Sequence, residues 1–160
     1  MQIAFIAVAV FSLTCALAIA EPPKVSTPMP GTSEPFALSG PRSNIAHAWN
    51  VVVRDEKAFQ TLWAEHANHH DGKVPPMPKV DFKKMDVIAV FLGLLPTGGQ
   101  SAEIGEIRRK GGIAVVRVMH LMPAGPGIAV SRSLTTPFAI KAVAKLPQTV
   151  TFEVTTVMRK

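Results

Sequence analysis

The stretch "DVIAVFLGL", residues 86–94, decides the predicted fold of this chain. After Asp86 it is apolar apart from Gly93, and its length suits a single β-strand. A strand with apolar side chains on both faces belongs in the middle of a sheet, where it is covered on both sides. The stretch therefore predicts a central strand, with Val90 in the core.

The residues before this stretch predict one strand and one helix. Residues 45–54 begin with every second side chain suited to one face, which is typical of a strand. Asp55 then supplies a helix cap, and apolar residues recur at helical spacing, so we expect an amphipathic helix over residues 56–68. Phe59, Leu62 and Trp63 should pack this helix against the sheet. The aromatic side chains expected in the core are Trp49, Trp63, Phe82, Phe91 and Phe152.

The residues after residue 94 predict only strands. "KGG", residues 110–112, indicates a tight hairpin between two of them. The other predicted strand segments are "QSAEIGEIRR", "IAVVRVMHL", "IAVSRSL", "TTPFAIKAV" and "TVTFEVTTVM". The expected fold class is α+β, predominantly antiparallel, with about seven strands in a sandwich- or barrel-like sheet and one helix near the start of the domain.

The N-terminal residues predict export. Residues 1–20 carry no charged side chain and end in Ala-Ile-Ala, which is typical of a signal peptide cut after Ala20. A retained membrane anchor is the alternative interpretation of this run. Residues 21–42 are rich in proline and predict a flexible segment whose last part, residues 36–38, could dock on the domain. The folded domain is then residues 43–160, in a periplasmic or secreted protein that has no integral membrane segment after cleavage.

Composition limits the possible functions. The net charge is +6, but the basic residues are scattered and are not interleaved with aromatic rings, so nucleic-acid binding is not expected. The single cysteine, Cys15, lies in the predicted signal peptide, which leaves the mature protein without disulfides. We expect no cofactor.

Three motifs follow one another along the chain: "FQTLWAEH" followed by "VDFKKMDVIAVFLG", then "LPTGGQSAEI", then "SLTTPFAIKAV". Together they resemble the PrcB C-terminal-domain family, named for an accessory subunit of a secreted bacterial protease complex, and the resemblance runs from about residue 59 to residue 154. Gln100 stands where the family usually carries an aromatic residue. The resemblance implies a stabilising or interacting module outside the cytoplasm, without known catalysis, and a protein partner such as an exported protease.

The turn "PTGG" and the glutamine after it form the candidate site. The glycines fit a plain turn between two strands, but they also suit a small rigid loop that a partner can approach closely. The candidate partner-binding residues are Pro96, Thr97, Gly98, Gly99 and Gln100, called here the PTGG turn, with the Pro-Gly segment 123–127 expected beside them.

The alternative function is a small-ligand or metal-binding domain that uses the end of the helix. His66 and His70 are four residues apart in "HANHHD" and could share one helix face, as zinc ligands do. Catalysis is not expected, because Ser131 and Ser133 lack a nucleophile-elbow motif and the carboxylates are spread over the ends of the predicted elements. The sequence therefore favours an exported, non-catalytic interaction module.

Overall fold

The computed structural model describes residues 35–68, 74–123 and 131–159, which form seven β-strands and one α-helix. In chain order the elements are β1 (Ala37–Gly40), β2 (Ala48–Val53), α1 (Glu56–Ala67), β3 (Met85–Leu92), β4 (Ser101–Lys110), β5 (Ile113–Pro123), β6 (Phe138–Ala144) and β7 (Thr149–Arg159). The predicted α+β class is confirmed. Among these residues, no helix has the length and apolar character needed to cross a bilayer. The predicted signal peptide lies outside the described residues.

The strands form two stacked sheets. The helix-side sheet has the strand order β1-β6-β3-β2 and is antiparallel throughout. The outer sheet has the order β4-β5-β7, in which β4 and β5 are antiparallel and β5 and β7 are parallel. The chain turns from β4 to β5 at Gly111 and Gly112, whose φ angles of 57° and 78° suit a two-residue hairpin. This is the hairpin that "KGG" predicts.

β3 lies between β6 and β2 and separates two apolar cores. Val87, Ala89 and Phe91 belong to the core on the side of α1. Ile88 and Val90 belong to the core between the two sheets. All five side chains are buried, so the predicted central strand, covered on both faces with Val90 in the core, is confirmed.

α1 covers one face of the helix-side sheet. Asp55 caps the helix, because its Oδ1 accepts a hydrogen bond of 2.8 Å from a backbone N–H of the first turn. Phe59, Leu62 and Trp63 are buried against the sheet, as predicted. Trp63 Nε1 also donates to the carbonyl oxygen of Pro75 at 2.9 Å, which attaches the loop after the helix to the helix itself.

The core between the sheets consists mainly of small and β-branched side chains. Ile104 of β4 and Val116 and Val118 of β5 pack with Ile88 and Val90 of β3. Such side chains fit the pleated surfaces of two sheets packed face to face. The opposite face of the outer sheet carries exposed charged side chains, among them Glu103, Arg117 and Glu153.

Two segments differ from the sequence prediction in whether they form a β-strand. β1 lies in the last part of the predicted flexible segment 21–42, where the sequence indicates that residues 36–38 could dock on the domain; it pairs with β6, and the neighbouring Phe36 is buried against Phe59. The folded domain therefore includes residues 35–42. The prolines beside β1 are compatible with this, because β1 is an edge strand. Conversely, residues 131–134 of the predicted strand "IAVSRSL" are not a strand. Residues 128–130 of that segment lie outside the described residues.

The prediction that Trp49 belongs to the core is wrong. Trp49 is 37% exposed, although its ring stacks on that of Phe91 at a centroid distance of 6.2 Å. β2 is an edge strand, and one helix about 10 Å wide covers only about two strands spaced roughly 4.8 Å apart. An open groove of about 450 Å³ therefore remains between β2 and α1, lined in part by Trp49, Val51 and Leu62.

Candidate functional site

The PTGG turn is held against the segment that precedes β6. Leu95 and Thr135 exchange two backbone hydrogen bonds of 2.8 and 3.0 Å, and the N–H of Gly98 donates to the carbonyl oxygen of Ser131 at 2.9 Å. The hydroxyl of Thr135 also donates to the carbonyl oxygen of Thr97 at 3.0 Å. These bonds restrain the backbone of the turn, so a partner would not have to supply that ordering on binding.

The two glycines of the turn are required for different reasons. Gly99 has a φ of 80°, a left-handed conformation that other residues adopt at a cost. Gly98 is buried, and a Cβ atom at this position would collide with Oγ of Ser131. The N–H of Gly98 is therefore used inside the protein and is not offered to a partner. The residues of the turn that are exposed to solvent are Pro96 and Gly99.

Gln100 connects the turn to β5. Its Nε2 donates to Oγ1 of Thr97 at 3.0 Å, and its Oε1 lies 2.7 Å from Nε2 of His120. Because an amide oxygen only accepts hydrogen bonds, His120 carries a proton on Nε2 in this arrangement. The sequence gives no sign of this contact, since Gln100 and His120 are separated by most of the β4–β5 hairpin.

Exposed apolar side chains surround the turn. Leu94 is 53% exposed and Leu134 is 66% exposed. The antiparallel bridge between Leu95 and Thr135 places Pro96, which is also exposed, opposite Leu134. Leu94, Pro96, Gly99 and Leu134 are called here the loop-end surface. Of the Pro-Gly segment expected beside the turn, Pro123 ends β5 and residues 124–127 lie outside the described residues.

His66 is placed in the core of the protein. Its Nδ1 lies 2.9 Å from Oγ of Ser43, and its ring makes an edge contact with Phe138 at a centroid distance of 4.2 Å. Because Oγ of Ser43 also accepts the N–H of Ile45 at 3.1 Å, its hydroxyl proton is available to His66. His70, the second member of the alternative metal pair, lies outside the described residues. Within residues 35–68, 74–123 and 131–159, no three His, Cys, Asp or Glu side chains are grouped to hold a metal ion.

Asp86 is the centre of a polar cluster that the sequence analysis missed. The carboxylate is fully buried at the start of β3, and its Oδ2 accepts the N–H of Leu146 at 2.8 Å. Lys145 Nζ lies 2.6 Å from Oδ1, and Arg54 Nη1 lies 3.2 Å from Oδ2. Arg54 donates as well to three backbone carbonyl groups of residues 146–148. The cluster attaches the β6–β7 connection to β2 and β3, and the one signal in the sequence was a charged residue at the start of an apolar strand.

Comparison of the chain with known proteins found no matching family model, no matching curated protein and no matching solved structure. The resemblance to the PrcB C-terminal-domain family therefore stays a prediction.

Proposed function

We propose that this protein is an exported, non-catalytic protein-interaction module, and that its partner binds at the loop-end surface. The observation that carries the proposal is the presence of exposed leucines on a restrained backbone. Leu94 and Leu134 are both more than half exposed, and the bridge beside them has hydrogen bonds of 2.8 and 3.0 Å. Burying these side chains against a partner would remove apolar surface from water, which favours binding.

The polar clusters support binding over catalysis. Catalytic groups have to converge on one open site that a substrate can enter. Asp86 and the Gln100–His120 pair lie at opposite ends of the sandwich, and each connects neighbouring elements of the protein. The hydroxyls of Ser131 and Ser133 lie 2.8 Å from each other on an exposed segment.

The compartment and the class of partner rest on the sequence. Export to the periplasm or the medium follows from residues 1–20, with cleavage after Ala20. The choice of an exported protease as partner follows from the resemblance to the PrcB C-terminal-domain family. The module would stabilise or regulate that protease.

The proposal is tested by affinity capture from the extracytoplasmic fraction of the source cells. The bait is the exported product of the full chain, its N-terminus is checked by intact mass, and captured proteins are identified by mass spectrometry. Leu134→Asp should reduce capture at least about tenfold, because a charge replaces an apolar contact at the binding surface. The matched control is Ile113→Asp, an exposed apolar position at the β4–β5 hairpin, at the other end of the outer sheet.

Circular dichroism has to show that both variants are folded. Loss of capture with Leu134→Asp alone supports the loop-end surface. Equal capture by the parent protein and both variants would show that this surface does not bind the partner. If the specifically captured protein were not a protease, the interaction module would stand and the protease assignment would fail.

A further inference from the structure

The four edge strands of the two sheets are protected to different degrees. β1 has only four residues and β2 has six. β4 carries a register shift between Ile104 and Ile107 and ends in Arg108, Arg109 and Lys110. Short length, irregular register and terminal basic residues all hinder pairing with another chain. β7, with 11 residues, keeps an unbroken register with β5 and contains neither proline nor lysine.

β7 also exposes apolar side chains beside its free edge. In the described part of the chain it pairs only with β5. Val154 is 55% exposed and Met158 is 63% exposed. Val154 and Phe152 line a groove of about 410 Å³ that opens between β7 and β2. A long, regular and apolar edge is a surface on which another strand can pair.

We propose that this edge binds a second copy of the chain, through antiparallel pairing of β7 with the β7 of that copy about a two-fold axis at Thr156. The pairing is isologous, as in most homodimers. It joins the two outer sheets into one continuous six-stranded sheet, since each contributes the three strands β4, β5 and β7. The cross-strand pairs are Glu153 with Arg159, Val154 with Met158, and Thr155 with Val157, each formed twice.

The sequence "EVTTVMR", residues 153–159, is complementary to itself in this register. Each half of the strand supplies the chemical counterpart of the other half: acid opposite base at the ends, then two apolar side chains, then threonine opposite valine. Direct cross-strand neighbours of this kind stabilise antiparallel pairs, and like charges destabilise them. This self-complementarity favours a second copy over an unrelated strand.

The pairing also agrees with the two faces of the outer sheet. Residues opposite each other in an antiparallel pair share a face. On the inner face, Val154 already pairs with Val118, and Met158 with Met122, so the new row is apolar across both copies. On the outer face, Glu153 lies opposite Arg117 and 3.6 Å from Arg108. A further arginine beside an exposed carboxylate adds little affinity, but it distinguishes this register from others.

The main competing register has its axis at Val154. It pairs all 11 residues of β7, but it sets Glu153 opposite Thr155 and Arg159 opposite Thr149, so neither charge gains a partner. Cysteine substitution at each axis distinguishes the two, because a residue on the axis faces its own copy at a distance that a disulfide can bridge.

The experiment uses the full chain with Cys15→Ser, so that each introduced cysteine is the only one. Under mild oxidation, Thr156→Cys should form a disulfide-linked dimer on a non-reducing gel. Val154→Cys and the matched control Thr151→Cys should remain largely without a disulfide crosslink. Stronger crosslinking of Val154→Cys than of Thr156→Cys, or no crosslinking of any variant, overturns the proposal.

A charge exchange provides a second test, with dissociation measured by analytical ultracentrifugation. Arg159→Glu places two carboxylates opposite each other and should weaken the dimer at least about tenfold. Combining it with Glu153→Arg restores opposite charges across the dimer and should recover most of the lost affinity, the remainder being lost because Glu153 also lies 3.6 Å from Arg108 of its own copy. A parent protein that stays monomeric, or a combined variant as weak as Arg159→Glu alone, would show that β7 does not pair in this way.

Discussion

The helix-side sheet and the outer sheet differ in how they are covered. The helix-side sheet contributes to an apolar core on each face, one with α1 and one with the outer sheet. The outer sheet contributes Ile104, Val116 and Val118 to the core between the sheets, and its other face carries exposed charges. Stability is therefore expected to depend mostly on the first sheet, while the second has surface available for binding.

The two sheets are also joined at opposite ends, and each junction is restrained by hydrogen bonds. The β3–β4 connection contains the PTGG turn, which bonds to the segment before β6. The β6–β7 connection is attached to Asp86 and Arg54. Because these two crossings are restrained, the outer sheet is positioned by polar contacts at its ends in addition to its apolar inner face.

The largest expected effect distinguishes the only two tryptophans. Trp63→Ala should reduce the free energy of unfolding by about 3–5 kcal/mol, because it leaves a closed cavity under α1. Trp49→Ala should cost about 1–2 kcal/mol, since Trp49 is 37% exposed at the edge of the sheet and its removal opens the groove further. Urea denaturation of both variants measures the difference. Equal losses would mean that α1 does not provide the main cover of this sheet.

A smaller effect is expected at the β6–β7 junction. Asp86→Asn keeps an acceptor for the N–H of Leu146 but removes the charge that Arg54 and Lys145 share. The loss should be about 2 kcal/mol, below the range for deeply buried pairs, because both cations are partly exposed and keep some hydration.

The matched control for this change is Asp81→Asn. Asp81 accepts a backbone N–H of the adjacent turn at 3.0 Å, and its substitution should cost about 0.5 kcal/mol. Hydrogen exchange adds a positional readout: Asp86→Asn should speed exchange in β7 more than in β3. Faster exchange in β3 alone would argue against a role of the cluster in holding the outer sheet.

The elements that the sequence predicted correctly are those whose burial shows in their local pattern. β3 is covered on both faces, so its apolar run indicated its position directly. α1 has one covered face, and the spacing of Phe59, Leu62 and Trp63 indicated it. Trp49 was misplaced because its exposure depends on the width of α1 and on the edge position of β2. Neither is encoded in the residues around Trp49.

The candidate site was predictable only in part, for a similar reason. The turn itself follows from Gly98 and Gly99, whose conformational requirements are local. The contacts that restrain it come from Ser131, Thr135 and His120, which are distant in sequence. Segment 131–134, which the sequence assigned to a strand, supports the turn instead, while residues 37–40 supply the missing strand.

A last test of the same comparison makes one substitution, valine to alanine, in each sheet. Val87 of β3 is fully buried in the core beneath α1. Val115 of β5 is half-buried, and its cross-strand neighbours are the exposed Arg108 and Thr151. Val87→Ala should cost about 2 kcal/mol or more, because it removes buried methyl groups and leaves a cavity.

Val115→Ala should reduce the free energy of unfolding by only about 0.5 kcal/mol. Alanine has a lower β-propensity than valine and makes fewer contacts, but its introduction at a half-buried position leaves no enclosed cavity. Thermal or urea unfolding of the two variants gives the ratio directly, and the chemistry of the change is the same in both. A loss at Val115 as large as that at Val87 would mean that the outer face of β5 is covered in solution. In that case the charged face of the outer sheet, and not only the edge of β7, would have to be examined as a binding surface.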